Sequence, residues 1–281
     1  MDELWDAPAK LNLTLRVGAP LRSGLHPIES LAQTIDWADT LRFTFADEDH
    51  LVVEGADLPD DGDNLVWRAA RRLLPDRHQQ LEVVLTKRIP AAAGLGGGSS
   101  DAACVIAALG DWFGVEGPER LSAATDVGAD VTFFLTGGTA LMTGVGEQIE
   151  RLDPLDGFVV VVAVPEFETS TPEVYRRWDE MNRPEGSVVP ARRLPPGLRD
   201  VEVVNDLTPA AIDLTPGLGD VLVELGQIWE RPVMMSGSGS AVFACFADLD
   251  EARDAEAALG GGFRASEAVE LRRHGVARLD R

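Results

Sequence analysis

Four glycines in five positions, Gly94-Leu95-Gly96-Gly97-Gly98, lie between Pro90-Ala91-Ala92-Ala93 and Ser99-Ser100-Asp101. Without a Cβ the backbone can turn sharply and approach a ligand closely. The alanine-rich stretch Ala102 to Leu109 that follows has high helix propensity. A glycine loop feeding a helix N-terminus offers an anion, phosphate above all, free N–H groups and the positive end of the helix dipole. The run is neither a Walker loop, since no Lys-Ser or Lys-Thr closes it, nor GxGxxG. Ser99 and Ser100 stand at the junction, where a hydroxyl can cap the helix or reach a metal-bound phosphate.

Other residues have the right types for chemistry. Lys10 and Asn12 fall on one face of an alternating segment, because strand side chains repeat every second residue. Lys10 and Lys87 are the only lysines in a chain that otherwise uses arginine, which suggests sites where a compact ammonium suits and a planar guanidinium does not. Gly128-Ala129-Asp130 sets a carboxylate between a helix end and an apolar run, a position that also suits a plain turn. Ser236-Gly237-Ser238-Gly239-Ser240, between two apolar segments, reads as a second anion-binding turn or as a hairpin loop. His26 alone reads as a solvated turn histidine. Cys104 and Cys245 lack metal-ligand spacing and read as buried thiols.

The elements that must hold these residues follow from hydrophobic period and breakers. Strands are predicted at Lys10–Val17, Leu41–Phe45, Leu51–Val53, Leu81–Leu85, Val131–Leu135 and Thr139–Thr143. The wholly apolar run Phe158–Val164 is predicted as a central buried strand. Helices are predicted at Leu65–Leu74 (closed by Pro75), Ala102–Leu109, Arg120–Val127, Leu218–Trp229 and Glu251–Leu259. Residues 182–200, rich in Pro and Arg, read as a surface loop with short helical turns. Strands and helices mix without strict alternation, which favours α+β over a doubly wound fold.

At 281 residues, 45% hydrophobic and 26% charged, the chain has an ordinary globular composition with room for two modest domains. No apolar run is long enough to span a bilayer, and the acidic start, Met1-Asp2-Glu3, does not suit a signal peptide, so a cytoplasmic location without membrane attachment is expected. A net charge of −22 disfavours nucleic acid. It also means that an anionic substrate needs a locally positive site or a divalent metal.

Taken together, several segments resemble the GHMP kinases, the superfamily of galactose, homoserine, mevalonate and phosphomevalonate kinases. They are Ala7-Pro8-Ala9-Lys10-Leu11-Asn12, Asp63-Asn64-Leu65-Val66, Gly94 to Ala103, Gly128-Ala129-Asp130-Val131, Gly144-Val145-Gly146-Glu147, Ser170 to Tyr175 and Asn205-Asp206-Leu207. Within that superfamily they look most like the branch that phosphorylates the 2-hydroxyl of a cytidine-diphosphate-linked methylerythritol in non-mevalonate isoprenoid synthesis. The resemblance implies an N-terminal ribosomal-protein-S5-domain-2-like domain over residues 1–150 and a ferredoxin-like domain over 151–281, with the site in the cleft between them. It implies ATP and Mg²⁺ as cofactors, no dedicated protein metal site, and a monomer or homodimer.

The same resemblance assigns Asp130 as the catalytic aspartate that takes the acceptor's proton, and Lys10 as its charge partner. Asn64, Leu65, Val66 and Lys87 would lie near the nucleoside. Pro90, Ala91, Ala92, Ala93, Gly94, Leu95, Gly96, Gly97, Gly98, Ser99 and Ser100 would wrap the phosphates. Asn12, His26, Thr171, Tyr175, Gly237 and Gly239 fall at substrate positions, with Tyr175 stacking on cytosine. Mevalonate, phosphomevalonate or homoserine as acceptor, or a binding protein without catalysis, are the alternatives. Leu25 departs from the pattern, since an aromatic usually precedes the histidine, so an aliphatic contact is expected where a ring would stack. Thr132 and Ser240 depart from common Pro or Ala positions without bearing on chemistry.

Overall fold

A computed structural model describes residues 2–76 and 78–279. The first part of the chain runs β1 (Asp2–Asn12), β2 (Arg16–Val17), β3 (Ile28–Ala46), β4 (His50–Glu54), α1 (Leu65–Leu73), β5 (Gln80–Thr86), α2 (Gly97–Phe113), α3 (Gly117–Val127), α4 (Ala129–Thr136), β6 (Thr139–Thr143) and β7 (Gln148–Arg151). The 19-residue β3 organises the sheet. It pairs antiparallel with β1 from Ala32 to Thr44, with β6 from Ser30 to Gln33 and with β5 from Thr40 to Ala46.

Helices α1 to α4 cover one face of this sheet around a core that includes Phe43, Leu85, Ile106, Phe133 and Phe134. Asn64 starts α1 by accepting from the Val66 N–H at 2.9 Å, and the helix stops before Pro75. Helix α2 is buried almost all round from Ser100 to Gly110, so its apolar residues need no single stripe. The run Val131–Leu135, expected as a strand, is helical within α4. Five apolar residues carry no decisive period. The turns at Gly128 and Gly137 bound a segment that buries Phe133 and Phe134 against α2 and the sheet. The strand expected over Lys10–Val17 is split: β1 ends at Asn12, and the chain bends before resuming as β2.

The second part contains β8 (Val159–Pro165), α5 (Thr171–Glu180), α6 (Thr208–Leu214), α7 (Pro216–Ile228), β9 (Met234–Met235), β10 (Val242–Phe246), α8 (Leu249–Ala257) and β11 (Phe263–Val269). Its antiparallel sheet has the order β11-β8-β10-β9, which is fourth-first-third-second, the ferredoxin-like arrangement. Strand β8 is apolar throughout because both faces are buried. Val160, Val162 and Val164 enter a core shared with Ile35, Trp37 and Leu95 of the first part, whereas Val161 and Ala163 meet the helices through Val174 and Leu218. Residues 182–200 hold two short 3₁₀ turns, Ala191–Arg193 and Pro196–Leu198. The last strand, β12 (Ala277–Leu279), returns to pair with β1 in the first sheet. Among the described residues no helix is long and apolar enough to cross a membrane.

Candidate active site

A cleft of 560 Å³ opens where the two sheets meet, and residues from both line it. Strand β1 brings Lys10 and Asn12 to its floor. The Lys10 ammonium donates to Asn12 Oδ1 and lies 3.5 Å from Asp130 Oδ2, with the lysine side chain 6% exposed and the aspartate 33%. Asn12 is itself fixed, since its Nδ2 donates to Ser30 Oγ at 2.7 Å, and Ser30 donates on to the Thr14 carbonyl. Asp130 occupies the first turn of α4, where the helix dipole favours a carboxylate. A desolvated ammonium and a carboxylate open to the cleft thus face the same space.

The glycine loop lies beside this pair. The Lys10 N–H donates to the Leu95 carbonyl at 2.9 Å and pins loop to strand. Gly96, at φ 73°, is the N-cap of α2 and has no side chain to cap it, so the first N–H groups of the helix stay available to an anion. The Ser236–Ser240 turn docks directly on the loop. Ser236 Oγ donates to the Gly94 carbonyl at 3.1 Å, and the Ala241 N–H donates to the Ala93 carbonyl at 2.9 Å. Asn205 Nδ2 holds the turn from behind, donating to the carbonyls of Met235 and Gly237. Two motifs far apart in sequence therefore form one wall.

Lys87 lines the cleft, but its ammonium is engaged, donating to Asp101 Oδ2 at 2.8 Å and to Asp39. Burial alone would lower the lysine's pKa, and the charges of Asp101 and Asp39 outweigh it, so the net shift is upward. Burial pushes the Asp101 carboxyl up to about 7 although Lys87 pulls it down, with Asp39 adding to the rise. Asn64, Leu65 and Pro90 through Ser99 all line the cleft. Val66 does not: it is buried in the core between α1 and the sheet. Ser100 is fully buried, and its Oγ has no hydrogen-bond partner among the described residues.

Helix α5 also presents Thr171 and Tyr175 to the cleft. Burial, then the Asp130 charge, pushes the Tyr175 phenol up to about 12. Thr171 Oγ1 and Ser238 Oγ share a hydrogen bond at 2.7 Å that ties α5 to the serine–glycine turn. His26 is not a solvated turn residue. Its side chain is 8% exposed, its Nε2 meets Asp179 Oδ2 at 2.9 Å, and its ring lies 5.0 Å from that of Tyr175. Gly237 lines the cleft, whereas Gly239 sits behind it against Met235 and Thr169. Leu25 stands 56% exposed.

Sequence reasoning missed Leu58 and Pro59, an apolar rim beside Asn64, and the supporting carboxylates Asp39 and Asp179. None sits in a spacing that marks it. Among the described residues no group of three or more His, Cys, Asp or Glu side chains could hold a metal.

Residues 64–138 match the family model described as GHMP kinases N terminal domain. The chain is 38% identical over 262 residues to the 4-diphosphocytidyl-2-C-methyl-D-erythritol kinase of Pelotomaculum thermopropionicum, covering 89% of this chain and 91% of that one. It is 40% identical over 261 residues to the protein of the same name from Deinococcus radiodurans, covering 90% and 87%. A crystal structure of 4-(cytidine 5'-diphospho)-2C-methyl-D-erythritol kinase superposes with a TM-score of 0.79 at 36% identity, over 96% of this chain and 99% of that one.

Proposed function

The chain belongs to the 4-diphosphocytidyl-2-C-methyl-D-erythritol kinase family of GHMP kinases, and we infer that it transfers the γ-phosphoryl group of ATP to the 2-hydroxyl of that cytidine-diphosphate-linked acceptor. The observation that carries the chemistry is the Lys10–Asp130 pair, 3.5 Å apart beside the uncapped N-terminus of α2. The ATP phosphates lie along Ala91 to Ser99, with N–H groups and helix dipole facing their charge. The nucleoside lies toward Asn64, Leu65 and Pro59. Asp130 accepts the proton of the attacking hydroxyl, and the Lys10 ammonium offsets the charge that builds as the phosphoryl group moves in line between oxygens. Positioning and charge neutralisation supply most of the catalysis.

This arrangement explains how a chain of net charge −22 handles two polyanionic substrates. Lys10 and Lys87 in the cleft lining are matched by Asp130, Asp101 and Asp63, so the phosphate charge is met by the loop N–H groups, the α2 terminus and a divalent cation. Mg²⁺ fits the donor set. It usually takes one or two carboxylates plus substrate phosphates and water, so no all-protein cage is needed. The Ser99 hydroxyl in the cleft wall is the protein group that would hold it beside the phosphates and water, and when bound it would neutralise the β- and γ-phosphate oxygens. Tyr175 and His26, the latter oriented by Asp179, form the cytosine side, and the exposed Leu25 leaves that side with one ring fewer. Residues 1–150 carry the nucleotide side, and residues 151–281 contribute Thr171, Tyr175 and Gly237 to the cleft, with β12 reaching back into the first sheet.

Lys10→Arg is expected to lower kcat by about tenfold or more, because a planar five-donor group cannot occupy the pocket that Asn12, Asp130 and the glycine loop make for an ammonium. Steady-state ATP consumption at unchanged melting temperature checks this, and full activity would show that any cation suffices. The reading as a whole is tested by ATP consumption on a panel of the cytidyl-methylerythritol, mevalonate and homoserine. Turnover with the first alone supports it. Turnover with mevalonate alone would overturn the acceptor assignment and leave the phosphoryl-transfer site standing.

A further inference from the structure

Lys87, Asp39 and Asp101 form a buried ionic triad directly under the glycine loop, with no side chain more than 4% exposed. Lys87 follows the last residue of β5, Asp39 stands within β3, and Asp101 lies near the start of α2, so the triad joins three elements. Asp39 Oδ1 also accepts from the backbone N–H groups of Arg88 and Ile89, at 2.6 and 2.8 Å. The residues that open the loop are thereby fixed. Asp101, 14 positions after Lys87, fixes the far end through the 2.8 Å bond to the same ammonium.

The location has an electrostatic consequence. A Cβ at Gly97 would stand 3.2 Å from Lys87 Nζ, so the ammonium lies against the terminus that receives phosphate. An uncompensated carboxylate there would oppose the anion that the helix dipole attracts. Asp101 is placed to do this, since its Oδ1 has no hydrogen-bond partner among the described residues. Two of the ammonium's three N–H donors go to these carboxylates, which hold it beneath the loop.

We propose that Lys87 is a positioning residue and not a nucleotide contact: it clips the two ends of the phosphate loop together and masks Asp101, so that the α2 N-terminus stays attractive to the triphosphate. The inference rests on the ATP site proposed above. It differs from the role that resemblance assigns to Lys87, in which the lysine reaches the nucleoside directly.

The test measures the affinity of a nonhydrolysable ATP analogue by calorimetry, with no acceptor present, for the full chain and for Lys87→Met, Asp101→Asn and the double variant. Melting temperature and amide hydrogen exchange of residues 88–101, without nucleotide, are recorded alongside. Lys87→Met is expected to weaken binding about tenfold and to speed exchange across the loop. Adding Asp101→Asn is expected to restore affinity to within about threefold of the parent, because the carboxylate carried by α2 is gone while Asp39 is still held by the Arg88 and Ile89 N–H groups.

A double variant as weak as Lys87→Met would make the lysine a direct contact and overturn the proposal. Unchanged affinity in Lys87→Met with a lowered melting temperature would reduce the triad to a structural ion pair and overturn it as well. Should Lys87→Met fail to fold, Asp101→Asn decides. Faster exchange confined to residues 88–101 with affinity kept or improved supports the clip, and unaltered exchange rejects it. A parent protein that does not bind the analogue refutes the ATP site itself, and the exchange measurement still judges the clip.

Discussion

Asp130→Asn is expected to lower kcat by about 10²–10⁴-fold, the range for a positioned general base, while ATP affinity stays within about twofold. Asparagine keeps the shape of the side chain and its place in the first turn of α4, so the packing of Val131, Phe133 and Phe134 is undisturbed. What disappears is the proposed proton acceptor and the partner 3.5 Å from the Lys10 ammonium. The ammonium does not wander, because Asn12 still accepts from it and Ser30 still holds Asn12. The loss is therefore expected in the chemical step and not in nucleotide binding, which we assign to the glycine loop and the α2 terminus. Steady-state kinetics on the cytidyl-methylerythritol, with analogue affinity measured separately, reads this split. An unchanged kcat would remove Asp130 from the chemistry, and an equal loss in affinity would make it a nucleotide ligand.

Much of this site was legible in the sequence because its features are local. The glycine loop announces itself by composition, and the alternation of Lys10 and Asn12 places both on one strand face. Lys10 and Lys87 are both buried, and both are paired with carboxylates. The run Phe158–Val164 signalled a strand covered on both faces, and the two cores on either side of β8 account for it.

What stayed hidden was long-range. The docking of Ser236 on Gly94 joins residues 142 apart, and neither motif encodes the other. Asp39 and Asp179 matter through what they hold, and a lone carboxylate in a strand or helix carries no mark of that. Only the second half of β3 could be read. In its first half, Ser30, Gln33 and Thr34 are buried with satisfied side chains, Gln33 and Thr34 bonding the carbonyls of Arg272 and His274, which erases the polar–apolar period. α4 was misread for a related reason: an apolar run bounded by turns fits helix or strand until its neighbours choose.

The docked wall makes a second strong prediction. Gly94→Ala is expected to lower kcat/KM by about 100-fold, because misplacing a site by about 1 Å can cost that much. A Cβ there would stand 2.5 Å from the Ser236 carbonyl oxygen and 2.8 Å from that of Gly239, both backbone atoms that cannot rotate away. The glycine loop and the serine–glycine turn would have to separate, breaking the Ser236–Gly94 bond and shifting Gly237 in the cleft wall. Alanine at φ 78° also carries left-handed strain of about 1–2 kcal/mol. Strain alone must be told apart from loss of docking. Gly114→Ala provides the comparison, since Gly114 has φ 66° at the far end of α2 and a Cβ there meets nothing within 4 Å. That variant pays the strain without touching the cleft, so its melting temperature should fall while its kinetics hold. If the two variants lose activity equally, strain in α2 explains both and the wall is not what positions the phosphates. If only Gly94→Ala loses activity, the close approach of two distant turns is a requirement of catalysis in its own right.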